Sequence, residues 1–257
     1  MSKQAASERF NKIASNFVTS EVHANSPTIQ KLHGLLDLPA NATVCDVACG
    51  AGHLALSFGG KASRIVGVDP APNMLSAFQG LAESKGIRVE AFRSGAENLP
   101  FEDGSFDLVM SRLAPHHFRD IQKAVREMAR IAKKGGYVAV IDLEGHPDPG
   151  IDEFNHRLEV LHDPTHGRSY TASHWRELFE RAGLRILTLE NELSEKPGGV
   201  PIRRWCEIAS SGAEAELEIR RLVREAPPRV REELGITQNG DEFHMPVRTV
   251  LILAQKP

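Results

Sequence analysis

The sequence predicts an α/β protein built on a doubly wound, mostly parallel β-sheet, and three observations predict it. Short apolar runs of strand length alternate with amphipathic helical segments between residues 43 and 141, which is typical of parallel sheets with helices on both faces. The run Tyr137–Ile141 is apolar throughout, as expected for a strand covered on both faces. A glycine-containing turn, Asp46–Gly52, joins the first strand to a helix, which is how open α/β sheets begin.

Length and composition restrict the classes of protein that fit. A chain of 257 residues with 41% hydrophobic residues suits one large α/β domain with appendages. The formal net charge of −3 gives no global basic field for nucleic acid. Arginines do cluster between residues 203 and 231, but at helical spacing such a run is usually a solvated face. The longest apolar runs have only strand length, so no membrane span is expected.

The cytoplasm is the expected location. The N-terminal residues lack the apolar region of a secretory signal. The cysteines are Cys45, Cys49 and Cys206, an odd number with two inside the glycine-turn unit. This pattern argues against a disulfide framework and for a reducing compartment.

The first half of the chain is predicted as a helical cap followed by strands and helices in alternation. Pro72 suits the first turn of its helix, where the missing N–H costs little. The predicted cap covers residues 5–36, with a break at Ser26-Pro27; strands follow at 43–47, 64–69, 88–93 and 106–110, with helices from residue 51 and over 72–85.

The second half begins with the clearest helix of the sequence. Apolar residues recur at helical spacing from Ile121 to Ala132, and Gly135-Gly136 is expected to end this helix. Helices are then predicted at 151–161, 172–182 and 202–234, and strands at 137–141, 184–189 and 243–254. The predicted organisation is one domain, residues 1–257, composed of a helical cap (1–39), a nucleotide-binding core (40–143), an insertion (144–170) and a C-terminal part that completes the sheet (171–257).

A nucleoside site is predicted at the glycine turn. The second strand ends in Asp69, seventeen residues past Gly52, and an acid at that position accepts hydrogen bonds from ribose hydroxyls. A nicotinamide dehydrogenase is one reading, because Gly50-x-Gly52-x-x-Ala55 fits G-x-G-x-x-A. That fingerprint does not account for Asp46 before the turn or for the Leu99-Pro100-Phe101 segment.

Several segments in the correct order resemble class I S-adenosylmethionine (SAM) methyltransferases, and most closely the ubiquinone/menaquinone C-methyltransferase-like group of small-molecule enzymes. The segments are Asp46–Gly52, Val68–Leu75, Gly95–Phe101, Phe106–Val109, Ser111–Phe118 and the N-terminal Phe10-x3-Ala14-x2-Phe17. Residues 161–170 and the last strand resemble uncharacterised bacterial members. The resemblance implies a Rossmann-like sheet of seven strands with an antiparallel last strand. It also implies SAM as cofactor and methyl transfer to a small, cyclic or aromatic metabolite.

The resemblance also implies roles at the cofactor. Asp46 would hold the methionine ammonium, the backbone at Gly50 and Gly52 would pass beneath the methionine part, and Asp69 would bind the ribose. The further implied cofactor residues are Phe17, Pro70, Met74, the main-chain N–H of Ala96, Glu97, Ser111 and Arg112. The chain departs from the family pattern at Ala48, where a glycine is usual, and at Gly95, where an acid is usual and Glu97 could replace it. Structural alternatives stay open: Asp46 and Asp69 could cap turns, and Met74 could be core.

Catalytic residues are predicted after the fourth strand. Methyl transfer from a sulfonium needs a nucleophile in line and at close range, and a base helps if the acceptor carries a proton. His116 and His117 are the candidates, because a histidine near its ordinary pKa suits this work. Arg112 could steer an anionic acceptor or pair with a carboxylate such as Asp142.

The insertion is rich in histidines. His156, His162 and His166 have a spacing that matches no standard metal site, and Pro164 breaks the helix that two ligands would need, so no metal is expected. A polar acceptor pocket is the functional hypothesis, and a solvated loop is the alternative. The predicted acceptor residues are His162, His166, Arg168, Tyr170 and, in the cap, His23. The sequence does not determine which element is methylated or the oligomeric state. A SAM-binding protein without methyl transfer (regulatory, isomerase or cyclase) is the alternative hypothesis.

Overall fold

A seven-stranded sheet organises the molecule. The computed structural model describes residues 3–18, 24 and 26–257. The strand order is β3-β2-β1-β4-β5-β10-β6, and β10 runs antiparallel to both of its neighbours. The strands are β1 (Thr43–Val47), β2 (Arg64–Val68), β3 (Glu90–Phe92), β4 (Phe106–Arg112), β5 (Ala132–Leu143), β6 (Arg185–Ser194) and β10 (Arg248–Gln255). The predicted mostly parallel sheet with an antiparallel last strand is confirmed.

Helices cover both faces of this sheet. On one face α5 and α7 pack Met128 and Trp175 against the strands, and on the other α2, α3 and α4 contribute Leu32, Leu54 and Phe78. The helices are α1 (Lys3–Val18), α2 (Pro27–Leu35), α3 (His53–Leu56), α4 (Pro72–Ser84), α5 (Ile121–Ile131), α6 (Pro149–His162), α7 (Ala172–Arg181), α8 (Ile202–Ala209), α9 (Ala213–Glu225) and α10 (Pro228–Leu234). In the described part of the chain, none of the helices has the length and apolarity needed to cross a membrane.

A smaller lobe covers one end of the sheet. Strands β7 (Val200–Pro201), β8 (Thr237–Asn239) and β9 (Glu242–Met245) form a second, three-stranded sheet in the order β7-β9-β8. Its core joins α6, α8, α9 and α10 around Leu158, Trp205 and Phe243. Because α6 is enclosed by this lobe, residues that the sequence would place on a solvated helix face become buried.

Two predicted boundaries are wrong. The helix α5 ends at Ile131 and β5 begins at Ala132, so Gly135-Gly136 lies inside a strand and does not end the helix. A Cβ on Gly136 would stand 3.0 Å from the carbonyl oxygen of Asp107, which explains the glycine by close backbone approach. The predicted last strand, 243–254, is two strands in different sheets. Pro246 separates them because it has no N–H for a sheet hydrogen bond.

The segment predicted as helical over 202–234 is also divided. It forms three helices, α8, α9 and α10. The first break is at Ser210, whose φ is 53°. The second is at Pro227, because Pro228 disfavours the helical conformation in the residue before it.

Candidate active site

Two adjoining cavities lie beyond the carboxyl ends of the parallel strands. We call the first the loop cavity, because the turn from Ala48 to Ala51 borders it. We call the second the histidine chamber, because His116, His117, His162 and His166 line it. Phe10, Phe17, Leu113 and His117 line both. Ligands in the two cavities would therefore meet at these shared side chains.

The loop cavity collects most of the predicted cofactor residues. They are Phe17, Asp46, Ala48, Gly50, Asp69, Pro70, Met74, Ala96, Glu97 and Arg112. Gly52 and Ser111 do not line it. Ser111 is buried and donates a hydrogen bond from Oγ to the carbonyl oxygen of Val47 at 2.7 Å, which ties β4 to β1.

Asp46 is a buried carboxyl at the end of β1. Its Oδ2 accepts the N–H of Ala55 at 3.1 Å, so it does secure the turn as the structural alternative proposed. Burial raises the pKa of Asp46 to about 7, although the Ala55 N–H and the charge of Arg112 act in the opposite direction. A carboxyl that is this expensive to ionise would gain most from a cation in the cavity.

Asp69 joins two loops at the end of β2. Its Oδ2 accepts the N–H of Gly50 at 3.0 Å and its Oδ1 accepts the N–H of Ala71 at 2.8 Å. Burial raises the pKa of Asp69 to about 6 in spite of these two hydrogen bonds. The side chain therefore holds the glycine turn and the start of α4 together, and it borders the cavity as an acceptor.

Three residues of the turn are left-handed, and the two glycines among them have different surroundings. Ala48, Gly50 and Gly52 have φ of 57°, 52° and 85°. A Cβ on Gly52 would stand 2.1 Å from Cδ2 of Phe78 on α4, whereas the nearest atom to a Cβ on Gly50 would be the sulfur of Met74 at 4.0 Å. Gly52 is therefore required by core packing. Gly50 leaves open space at the cavity wall.

Arg112 binds a carboxylate, but a different one from the partner that the sequence suggested. Its Nη2 donates to Oε2 of Glu195 at 2.8 Å, and both side chains are buried. Ser26 and Thr28 also donate to the carboxylate of Glu195, with the Thr28 hydroxyl at 2.6 Å. The Asp142 suggestion was wrong because Asp142 is bound to His116, while Glu195, 83 positions along the chain from Arg112, reaches it through the fold.

Gly95, Ala96 and Glu97 also line the loop cavity. Ala96 is buried there. The carboxylate of Glu97 accepts the main-chain N–H groups of Arg119 and Asp120 at 3.1 and 3.4 Å. Glu97 thus holds the loop after β4 in place as well as bordering the cavity.

Helix α1 covers both cavities. Phe10 and Phe17 contact each other edge to face with ring centroids 5.8 Å apart, and Phe10 also meets the ring of His117 at 4.9 Å. Nε2 of His53 lies 2.8 Å from the carbonyl oxygen of Phe17. Sequence reasoning missed His53, which ties the cap to the helix after the glycine turn.

In the histidine chamber, His116 forms a pair with Asp142. Nδ1 of His116 lies 2.6 Å from Oδ1 of Asp142. Burial alone would lower the pKa of His116, but the Asp142 carboxylate outweighs it and the pKa is raised. Because Nδ1 is engaged, Nε2 is the ring nitrogen left for a substrate, as in other histidine–carboxylate pairs.

The other chamber histidines are neutral. Burial lowers the pKa of His117 and of His162 to about 3, and it also lowers the pKa of His166. The ring of His166 stacks on His116 with centroids 5.1 Å apart, and the ring of His162 stacks on Trp205 at 3.8 Å. The chamber thus places uncharged imidazoles against an apolar wall that includes Trp205, Ile208 and Val247.

A loop hydrogen bond explains how His166 reaches His116. The N–H groups of Gly167 and Arg168 donate to the carbonyl oxygen of His116 at 2.9 and 3.1 Å. A Cβ on Gly167 would stand 2.7 Å from that oxygen. The insertion loop is therefore fixed directly over the segment after β4.

The structure does not bring every predicted acceptor residue to the chamber. Arg168 is half exposed and pairs with Asp152 of α6, and neither residue lines the chamber. Tyr170 lines a separate surface groove beside His174. The prediction for His23 falls outside the described residues. Within the described ranges, no group of three or more histidine, cysteine or acidic side chains is arranged to hold a metal ion.

Sequence reasoning missed Glu159. This residue of α6 is buried, lines the chamber and has a pKa raised by burial to about 7. The signal was available: Glu159 stands three and four positions before His162 and Asp163, so these polar residues share one helix face. That face is normally solvated, and only the smaller lobe turns it inward.

The seven-stranded sheet, its antiparallel β10 and the acids at the ends of β1 and β2 match what the resemblance implied, and they define the class of SAM-dependent methyltransferases. Residues 45–140 match the family described as a methyltransferase domain. The chain is 32% identical to the uncharacterised methyltransferase YcgJ of Bacillus subtilis over 248 residues, which are 95% of this chain and 96% of that protein. The chain therefore belongs to the class I SAM-dependent methyltransferases and is an enzyme of that family.

Solved structures agree with this assignment. The crystal structure of YcgJ from Bacillus subtilis has a TM-score of 0.80 and 31% identity, and covers 89% of this chain and 97% of its own. A putative methyltransferase from Bacillus halodurans has a TM-score of 0.82 and 27% identity, and the match covers 89% of this chain and 98% of that one.

A shorter sequence match is to the demethylmenaquinone methyltransferase of Thermus thermophilus, which is 36% identical over 106 residues, 40% of this chain and 48% of that protein.

Proposed function

We propose that the chain transfers the methyl group of SAM in line to a small cyclic or aromatic metabolite that enters the histidine chamber. One observation carries the proposal: the loop cavity and the chamber share Phe10, Phe17, Leu113 and His117. A donor in the first cavity and an acceptor in the second would approach each other at this junction. Bringing the two partners into line at close range is the main task of such an enzyme.

The residues of the loop cavity fit SAM. Asp46 offers a buried carboxyl for the methionine ammonium. Asp69 offers acceptor oxygens for the ribose hydroxyls, and Gly50 lets the backbone pass close to the ligand. Bound there, SAM supplies an electrophilic methyl group on a sulfonium. We expect Met74 and Ala96 to contact the adenine, because both are buried and both line the loop cavity.

His116 is the proposed general base. Asp142 holds Nδ1–H of its ring, so Nε2 is able to accept the proton that the acceptor loses. His117 is neutral at pH 7 because of its lowered pKa. Its Nδ1 lies 3.0 Å from the carbonyl oxygen of Thr165, and its position at the junction suits contact with the acceptor. Phe10 and Phe17 would exclude water.

A ring-bearing acceptor agrees with the relatives. Three of them are named as demethylmenaquinone methyltransferases, and the name describes an acceptor that is a quinone. The chain spans about half the length of these relatives, from 46% to 48%. The three cysteines are unpaired thiols, which agrees with the proposed cytoplasmic location.

The test is a calorimetric titration of the protein with SAM. We expect micromolar binding that is lost in Asp69→Ala and kept in Asp37→Ala, an exposed acid outside both cavities. Binding of NAD in place of SAM would contradict the proposal. Phenols and quinols are then screened for release of S-adenosylhomocysteine. SAM binding without any transfer would favour a SAM-binding protein that is regulatory or catalyses isomerisation or cyclisation.

A further inference from the structure

Glu159 is a buried carboxyl without a partner. It is 8% exposed and lies on α6, with the histidine chamber on one side. Among the described residues, no hydrogen bond or ion pair reaches its carboxylate. The ionised form of such a buried carboxyl carries a desolvation cost, which either protonation or a hydrogen-bond donor on a ligand would offset.

The charges around Glu159 are already balanced. In a smaller cavity that Glu159 also borders, Arg248 lies 3.9 Å from Glu144 and 3.6 Å from Glu192. Asp163 pairs with Nε of Arg9 at 3.0 Å, and Asp142 pairs with His116. Of the described residues that line the chamber, none is a lysine or an arginine. The remaining imidazoles, His117, His162 and His166, are neutral at pH 7 because their pKa values are lowered. The charge of His116 is already paired with Asp142, so the described lining offers no unpaired positive charge to compensate an anionic group.

Hydrogen-bonding groups are nevertheless available in the chamber. Nε2 of His166 and Nδ1 of His162 are buried and have no hydrogen-bond partner within the described parts of the chain. Glu159, His162 and His166 line the chamber together with the apolar side chains of Trp205, Ile208 and Val247. This mixed lining fits a ring compound that bears hydroxyl groups.

We propose that Glu159 recognises the acceptor, and that it selects uncharged ring compounds bearing a hydroxyl group over compounds that carry a carboxylate or a phosphate. The inference rests on the proposed methyl transfer, since it names the acceptor class of that same chamber. The hydroxyl donates its hydrogen bond to the Glu159 carboxylate. An anionic group at the same place would be buried beside a like charge.

The protonation of Glu159 gives a second observable. Burial raises its pKa to about 7; the neighbouring charge of His116 lowers it and those of Asp163 and Asp142 raise it further. Below that pH the carboxyl is protonated, and the repulsion of an anion is relieved. Discrimination against anions is therefore expected to be strong at pH 8 and weak at pH 5.5.

The experiment compares two matched probes that differ at one substituent. The protein, saturated with S-adenosylhomocysteine, is titrated at pH 8 with 2,6-naphthalenediol and with 6-hydroxy-2-naphthoate. We expect the diol to bind at least tenfold more tightly, and the ratio to shrink at pH 5.5. Equal binding, tighter binding of the naphthoate, or no binding of the diol would overturn the inference. This comparison uses the unaltered protein, so it does not depend on the folding of a variant.

A variant pair assigns the selectivity to Glu159. Glu159→Gln keeps the shape and removes the charge, so we expect the preference for the diol to fall at least fivefold. Glu153→Gln, on the same helix but with an exposed side chain, should keep it. An unchanged preference in Glu159→Gln would overturn the assignment. Absence of SAM binding in the unaltered protein would overturn the proposed function and this inference together, whereas SAM binding without discrimination between the probes would overturn the inference alone.

Discussion

Oδ1 of Asp142 lies 2.6 Å from Nδ1 of His116, and the second carboxylate oxygen of Asp142 is buried without a hydrogen-bond partner in the described part of the chain. The carboxylate is therefore committed to the histidine. It orients the ring and raises the pKa of His116 against the effect of burial. His116 of this pair lines the histidine chamber, where the acceptor is expected to bind.

Replacing Asp142 with asparagine should lower the pKa of His116, because the opposing charge is lost while burial persists. His116 acts as a base only when it is deprotonated, so turnover rises with pH through its pKa. In Asp142→Asn this rise should move to lower pH. The maximal rate should fall about 100-fold, because the ring loses its orientation.

NMR titration of the His116 ring and the pH dependence of turnover check this expectation. Glu144→Gln, two residues further along and outside the chamber lining, should change neither. An unchanged pKa of His116 in Asp142→Asn would show that the pair is structural only.

SAM affinity should depend on pH through Asp46. In the folded protein without ligand, the pKa of Asp46 is about 7. Only the ionised carboxylate attracts the methionine ammonium. Affinity should therefore fall about tenfold per pH unit below 7. Asp69, with a pKa of about 6, should steepen the fall at lower pH. In Asp46→Asn we expect affinity about 100-fold weaker at pH 8. Between pH 6 and 8 only the small dependence contributed by Asp69 should remain. Calorimetry over this range measures both.

The buried carboxyl of Asp46 should also destabilise the protein in the absence of ligand. The pKa of Asp46 is about 7 when folded and 3.8 ordinarily, so the folded state binds the proton more tightly than the unfolded state. This contribution is fully present below pH 3.8 and is lost as pH rises to 7. The free energy of unfolding of Asp46→Asn should therefore exceed that of the unaltered protein by about 2–4 kcal/mol at pH 8. This difference should be smaller at pH 5. Denaturant unfolding without ligand measures it, and a gap that is independent of pH would contradict the assigned cause.

Local patterns were sufficient for much of this molecule and insufficient for specific parts of it. Asp46 and Asp69 could be located from sequence because each follows a run of apolar residues at the end of a strand. The Arg112–Glu195 pair could not, because its members are 83 positions apart and meet only through the sheet order. The burial of Glu159 could not be predicted, because α6 is covered by a lobe formed by residues 200–245. No local sequence pattern indicates that lobe.

Gly52 should be required for packing. Gly52→Ala places a Cβ 2.1 Å from Phe78 at a φ of 85°, so both overpacking and left-handed strain apply. We expect a loss of about 3–4 kcal/mol in the free energy of unfolding. Gly60→Ala has a φ of 75° with nothing within 4 Å, and it should lose only about 1 kcal/mol, the strain alone. In a Phe78→Leu background the added cost of Gly52→Ala should approach that of Gly60→Ala, and a cost that stays unchanged would rule out the clash.

Gly50 should be required for the ligand and much less for the fold. A Cβ there would meet no protein atom closer than the Met74 sulfur at 4.0 Å, at a φ of 52°, so Gly50→Ala should lose about as much stability as Gly60→Ala, about 1 kcal/mol. The same Cβ would stand at the wall of the loop cavity, where SAM is proposed to lie against the backbone. We therefore expect SAM affinity to fall at least tenfold in Gly50→Ala and to stay unchanged in Gly60→Ala, as measured by calorimetry on both variants. Equal SAM affinity in the two variants would mean that the cofactor does not approach the turn at Gly50, and the methionine part would have to lie elsewhere in the cavity.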